Sequence, residues 1–230
     1  MGWLGRTLGT TIGAKWLMGL TGLCLFGFVI VHMVGNLQVF KGPEALNEYA
    51  VKLRSFGPLL WVIRAALFGI FALHVVSGLR LARLNRMARP VRYSMRRTTA
   101  SMSSRTMAIG GIGLLLFIGY HLAHFTLGWV DPENFALVDA QGRHDVHAMF
   151  VLGFRQWPVV LLYICAMGAL LLHLTHGISS FFQTVGMNHP NWRGFWNVLG
   201  PVLGMLVFLG NAAMPLAVYA GYVQLAAEVQ

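Results

Sequence analysis

The chain is poor in charge, acid and cysteine. Of 230 residues, only 10% are charged and only seven are acidic. The two cysteines, Cys24 and Cys165, both fall in apolar segments, which excludes a disulfide framework, a CxxC metal site and a cysteine-held iron–sulfur cluster. No glycine loop sits in a strand–helix context, so a flavin or dinucleotide domain is not expected. From Met1 to Leu20 the charged, apolar, small-residue order of a cleaved leader is missing, and none is expected. The net charge of +10 raises the question of nucleic acid. The basic residues gather between hydrophobic runs without interleaved aromatics, so no nucleic-acid partner is expected.

What the chain does have is apolar length. Apolar residues make up 57% of it and the mean hydropathy is +0.64, too high for an ordinary soluble domain. Crossing a bilayer takes about 20 mostly apolar residues. Five stretches qualify, at roughly 15–38, 58–82, 106–130, 155–182 and 196–224. The expectation is one all-α membrane domain over residues 1–230, a bundle of five transmembrane helices. Glycines at 110, 111, 113 and 119 would let a neighbouring helix or a macrocycle approach closely.

Orientation follows from loop charge. Arg83, Arg86, Arg89, Arg92, Arg96, Arg97 and Arg105 fall in one acid-free segment, which the positive-inside rule puts in the cytoplasm. Alternation then sets the N-terminus inside and the C-terminus outside. All seven acids, Glu44, Glu48, Asp131, Glu133, Asp139, Asp145 and Glu228, come out on the outer side.

Four apolar segments carry a histidine: His32, His74, His121 and His173. An ionisable group inside a bilayer is costly and usually functional. Counting along each helix puts His32 and His121 towards the outer face, and His74 and His173 towards the cytoplasm. Two pairs at two depths would suit two haem irons with two axial imidazoles each. The competing readings are hydrogen-bonded packing and a proton relay. His124 and His176 lie three residues after His121 and His173, on the same helix faces, so spacing alone does not choose between them.

Other polar residues fit this picture. Haem propionates need cationic partners. Lys15 and Arg80 at the inner helix ends are candidates, with simple snorkelling as the alternative. Arg64 lies inside the second segment and needs a partner: a distal propionate first, a quinone or Glu48 otherwise. The outer loop segment NLQVFKGPEALNEYAVKLR offers Asn36, Gln38, Asn47, Glu48, Tyr49 and Lys52 to a quinone. His144 and His147, in the run HDVH, would pass protons there, although a solvated loop is the plainer reading; as a metal site HDVH is a weak signal. The basic inner loop is a topology signal that can also dock a hydrophilic partner or anionic headgroups.

LFGFVIVHMVGNL, GPEALNEYA, LHVVSGL, NRMARPVRY, SRTM, YHLAHFT and LLHLTHGISSFFQT are spread over nearly the whole chain. Together they resemble the single-chain, di-haem cytochrome b membrane anchor of succinate:quinone oxidoreductase and fumarate reductase. The resemblance implies four axial ligands at His32, His74, His121 and His173, selecting His121 over His124 and His173 over His176. It implies a proximal haem b on His74 and His173 and a distal one on His32 and His121. It further implies flavoprotein and iron–sulfur partner subunits, a quinone substrate with menaquinone favoured, and a place in the bacterial plasma membrane. Such anchors often sit in larger symmetric assemblies. Some fumarate-reducing relatives carry a glutamate two positions before the helix-four ligand; here Leu171 stands there, which favours succinate oxidation. The rivals are a di-haem subunit of another dehydrogenase and, from a different class, a haem-free transporter with a histidine proton relay.

Overall fold

A computed structural model of the chain describes residues 2, 9–88, 102–187 and 189–226, apart from the side chains of 102 and 104. Arg89, Arg92, Arg96 and Arg97 of the basic loop, and Glu228, lie outside the described residues.

Five helices are long and apolar enough to cross a membrane. They are α1 (Thr11–Asn36), α3 (Pro58–Met87), α4 (Met102–Phe125), α7 (Trp157–Thr184) and α8 (Pro190–Tyr219). Short elements fill the connections: a 3₁₀ turn (Leu37–Lys41), α2 (Pro43–Arg54), α5 (Pro132–Phe135) and α6 (Val146–Gly153). Among the described residues the extended structure is one isolated bridge, Val138 with His144.

The starts of these helices are written locally. Thr10 caps α1, accepting from the Gly13 N–H at 3.0 Å. Pro43, Pro58, Pro158 and Pro190 stand in first turns, where a missing N–H costs nothing. Asp145 caps α6 through the Ala148 N–H at 2.9 Å. Several boundaries differ from the hydropathy reading. α4 stops at Phe125 rather than 130, because the chain turns at Gly128, whose φ is +67°. α3 stays helical through Arg83 and Arg86, both assigned above to the loop. α8 starts six residues early, at Pro190. Charged side chains at a helix end are solvated whether or not the backbone is coiled, so hydropathy misses such extensions.

The long helices form two layers. α1 packs on α3; α4 packs on α7, which packs most extensively on α8; α3 and α4 hardly meet. The α7–α8 contact uses GPVLG, a small-xxx-small pattern. A Cβ at Gly200 would fall 2.6 Å from the Thr175 carbonyl oxygen, and one at Gly204 3.1 Å from that of Leu171. Around the bundle large apolar side chains stay exposed, among them Ile109, Leu116, Phe68 and Val31. A continuous apolar perimeter of this kind suits hydrocarbon, where exposure costs little.

The connecting elements α2, α5 and α6 gather at one end, called here the capped end. Helix directions put the C-termini of α1, α4 and α8 and the N-termini of α3 and α7 there. The main buried core belongs to this end: Val39 and Leu46 pack with Phe150, Val151 and Phe154 of the α6 region, and with Tyr163, Met214 and Val218 of the long helices.

Candidate histidine pairs between two helix layers

Each histidine on α1 or α3 faces one on α4 or α7 across the seam between layers. The ring centres of His32 and His121 are 5.7 Å apart, at an interplanar angle of 90°. Those of His74 and His173 are 6.1 Å apart, at 65°. Two imidazole–metal bonds of ~2 Å each, added to the reach of the rings, put facing ring centres ~6 Å apart. His32 and His121 lie one turn from helix ends at the capped end, whereas His74 and His173 lie sixteen residues into α3 and α7. With 1.5 Å of rise per residue, the two levels differ by roughly 15–20 Å.

Hydrogen bonds hold three of the four rings. Thr21 donates its hydroxyl proton to the Leu17 carbonyl at 2.7 Å. Its oxygen is therefore free to accept from Nδ1–H of His74, 3.2 Å away, which leaves a lone pair on His74 Nε2. His121 has its Nδ1 3.1 Å from the Tyr163 hydroxyl. His32 Nε2 accepts from the Asn36 amide at 3.0 Å, so Asn36 is tied to the pair rather than displayed in the loop, and a metal bound at that nitrogen would displace it. His173 differs: its Nδ1 is buried and has no hydrogen-bond partner. A cavity of about 60 Å³ lies beside it, lined by Ser103, Thr106, Met107, Gly110, Ala169 and Leu172.

Small residues adjoin the His74–His173 pair, whereas aromatic rings pack against His32 and His121. A Cβ at Gly22 would lie 3.2 Å from His74 Cε1, and one at Gly111 3.9 Å from His173 Cε1. Gly110 lines the cavity beside His173, whereas Gly113 and Gly119 are exposed and adjoin neither pair. At the His74–His173 pair, facing imidazoles, an orphaned buried ring nitrogen and small neighbours fit a metal-centred macrocycle held by the two rings; at the His32–His121 pair the facing imidazoles carry that fit.

His124 and His176 are held differently. His124 is buried, stacked on Phe125 at 4.0 Å, and a Cβ at Gly153 would meet its Nε2 at 3.1 Å. It faces α6, away from the seam. His176 bonds Ser180 Oγ one turn along its own helix, at 3.0 Å.

The cations named from the sequence are spread over the two ends. Arg64 lies over the Trp61 ring at 5.1 Å and makes no ion pair with Glu48. It lines an open cleft of about 630 Å³ with Arg54, Gly57, Pro58, Leu60, Trp61 and Thr126. Arg80 reaches across to the Gly9 carbonyl, and Lys15 is exposed.

The loop candidates separate sharply. Glu48 and Lys52 are exposed, and Gln38 and Tyr49 are half-buried. Asn47 is 2% exposed, and its polar atoms are spent inside the protein. Its amide donates to Asp145 at 3.0 Å and to Asp139 at 3.3 Å, and its carbonyl accepts the His147 N–H at 3.0 Å. That removes it as a quinone donor and makes it the pin between α2 and α6. The solvated-loop reading of HDVH is also corrected, since Asp145 and His147 are buried at the start of α6. Burial pushes the pKa of His147 down, against a smaller upward pull from Asp145. His144 is pushed down by burial and then by nearby Arg54. Arg143 clamps this cap by pairing with Glu44 at 2.8 Å and Asp139 at 2.7 Å. Among the described residues no three His, Cys, Asp or Glu side chains converge as metal ligands, which leaves HDVH without a partner set.

Comparison with protein-family models, curated proteins and solved structures finds no match.

Two residues of the site were missed in the sequence: Thr21 and Tyr163. Both are polar groups inside apolar segments, and that is the signal that marks them. A hydroxyl in hydrocarbon needs a partner, and here the partner is a seam histidine.

Proposed function

We propose that this chain is a di-haem cytochrome b membrane anchor of the succinate:quinone oxidoreductase type. The observation that carries the reading is the meeting of four intramembrane histidines as two facing pairs, one pair per level. His32 and His121 would hold the distal haem b, and His74 and His173 the proximal one. When bound, the haems supply one-electron transfer between the two levels.

The chain's own residues prepare that chemistry. The layers hold the imidazoles face to face, so little ordering entropy remains to be lost on binding. Thr21 and Tyr163 orient the rings through Nδ1 and raise their basicity. Arg64, and at the opposite end Lys15 and Arg80, supply cations for propionates. The cleft beside Arg54 and Arg64 combines an apolar Trp61–Leu60 wall with guanidinium donors, as a quinone headgroup requires. On this reading electrons enter from an iron–sulfur partner bound to a flavoprotein. They leave to a quinone, with menaquinone favoured, in a bacterial plasma membrane. Leu171, packed beside Gly204, gives the fourth long helix no carboxylate for a proton path and supports the succinate-oxidising direction.

A second reading has one specific observation behind it. His121, Tyr163 and His124 form a hydrogen-bonded chain that would serve a haem-free proton relay. A reduced-minus-oxidised optical spectrum with haem quantification separates the two. Two b-type haems per chain support the anchor, and a colourless protein overturns it in favour of the relay. Co-purified subunits separate succinate dehydrogenase from other di-haem modules.

A further inference from the structure

We propose that Tyr163 is a positioning residue: it makes His121 rather than His124 the ligand at the capped end and lowers the potential of the haem held there. The inference rests on the haem reading above.

The Tyr163 hydroxyl stands between two histidines of α4. It is 3.1 Å from Nδ1 of His121 and 3.4 Å from Nδ1 of His124. Its ring is 7% exposed and is gripped edge-on by Phe117 at 4.9 Å and Phe154 at 4.8 Å, so the hydroxyl has one place to be. A phenol has a single proton and can donate to only one of the two nitrogens. A neutral imidazole that binds a metal through one nitrogen carries its proton on the other. His121 has Nδ1 turned to Tyr163, so it ligates through Nε2 and keeps a proton on Nδ1. That N–H donates to the phenol oxygen. The phenol proton then goes to His124 Nδ1, which places the His124 proton on Nε2.

Both rings are thereby fixed in opposite roles. His124 has Nδ1 occupied by the phenol and Nε2 protonated against Gly153, leaving no lone pair for a metal. His121 has Nε2 free and an Nδ1–H engaged by an oxygen. An acceptor on Nδ1–H makes an imidazole a stronger donor, which favours the oxidised metal and lowers the potential. No such partner touches Nδ1 of His173 in the other pair.

The test is Tyr163→Phe in the purified full chain, read by optical redox titration. The ring is kept and only the oxygen is lost. Both haems are expected to stay, with one potential rising by about tenfold in its one-electron equilibrium, or ~59 mV, and the other unmoved. Imidazole ¹⁵N NMR should show His124 passing from one tautomer to a mixture. His124→Phe gives a second arm: both haems retained, and the same potential raised by less. Two haems with neither potential moved would overturn the inference, as would loss of a haem in His124→Phe. A wild-type chain without haem would instead overturn the function proposed above.

Discussion

The two histidine pairs have similar ring separations, 5.7 and 6.1 Å, yet they sit in unlike surroundings. At the capped end, His121 is held by a buried phenol, His32 by Asn36, and the rings lean on Phe117, Phe125 and Phe28. At the other level His74 has a threonine, while His173 has an unpaired buried Nδ1 beside a cavity. One pair is set in a packed aromatic core and the other in a looser seam. The capped end closes the seam with α2 and α6, so its ring positions are fixed by tertiary packing. Along the rest of the seam, helix directions alone bring the rings together. A site of the first kind is pre-organised in the partners of its rings, and a site of the second kind only in the rings themselves.

The comparison breaks most visibly if a ligand is removed. On the function proposed here, His121→Ala and His173→Ala should each lose one of two haems, by haem quantification, while His124→Ala and His176→Ala keep both. Loss of both haems from either ligand variant would show that the levels are not independent.

Next in size is the cap. Asn47→Ala leaves the buried His147 N–H without its acceptor and takes one donor from each of Asp139 and Asp145, which keep Arg143 and the Ala148 N–H. Each unpaired buried group costs about 1–3 kcal/mol, so a fall in melting temperature of roughly 5 °C or more in detergent is expected. The capped-end spectrum should broaden and the other stay sharp. Equal broadening would deny that the cap organises only its own end.

A milder lever is pH. His144 and His147 hold a proton less readily in the folded chain than at their ordinary value of 6.5, because burial penalises the charged ring. Below that value the unfolded chain binds more protons. Stability of the cap is therefore complete above about pH 6.5 and lost progressively as the pH falls below it. Melting curves between pH 8 and 5 check this, and in His147→Gln the slope should be shallower. A melting temperature that rises on acidification would contradict the assignment.

The smallest expected effect is at Thr21→Val, which removes the acceptor from His74. A single hydrogen bond contributes about 0.5–1.5 kcal/mol. Redox titration should show a modest rise at the His74–His173 level alone. A rise at the capped level would merge what the structure separates.

Much of this arrangement was legible from residue order. The long helices announced themselves because a backbone in hydrocarbon must bond internally and carry apolar side chains. The histidine pairing followed from counting residues along alternating helices. The cap was not legible. α2 and α6 are too short to cross a bilayer, so their stretches read as loop, and Asn47 read as a free donor. Its role depends on Asp139, Asp145 and His147, some hundred residues away, brought near only by the fold.

The sequence by itself determined an all-helical chain with five membrane-length spans and a histidine at a defined depth in four of them. Rise per residue and hydropathy are local properties, and they need no partner. Only the tertiary structure decided which nitrogens of His32, His74 and His121 are spoken for, that Tyr163 and Thr21 hold two of the rings, and that the acidic connections close into a buried cap. Those are questions of angle and neighbour, and hydrogen bonds answer them only when distant segments meet.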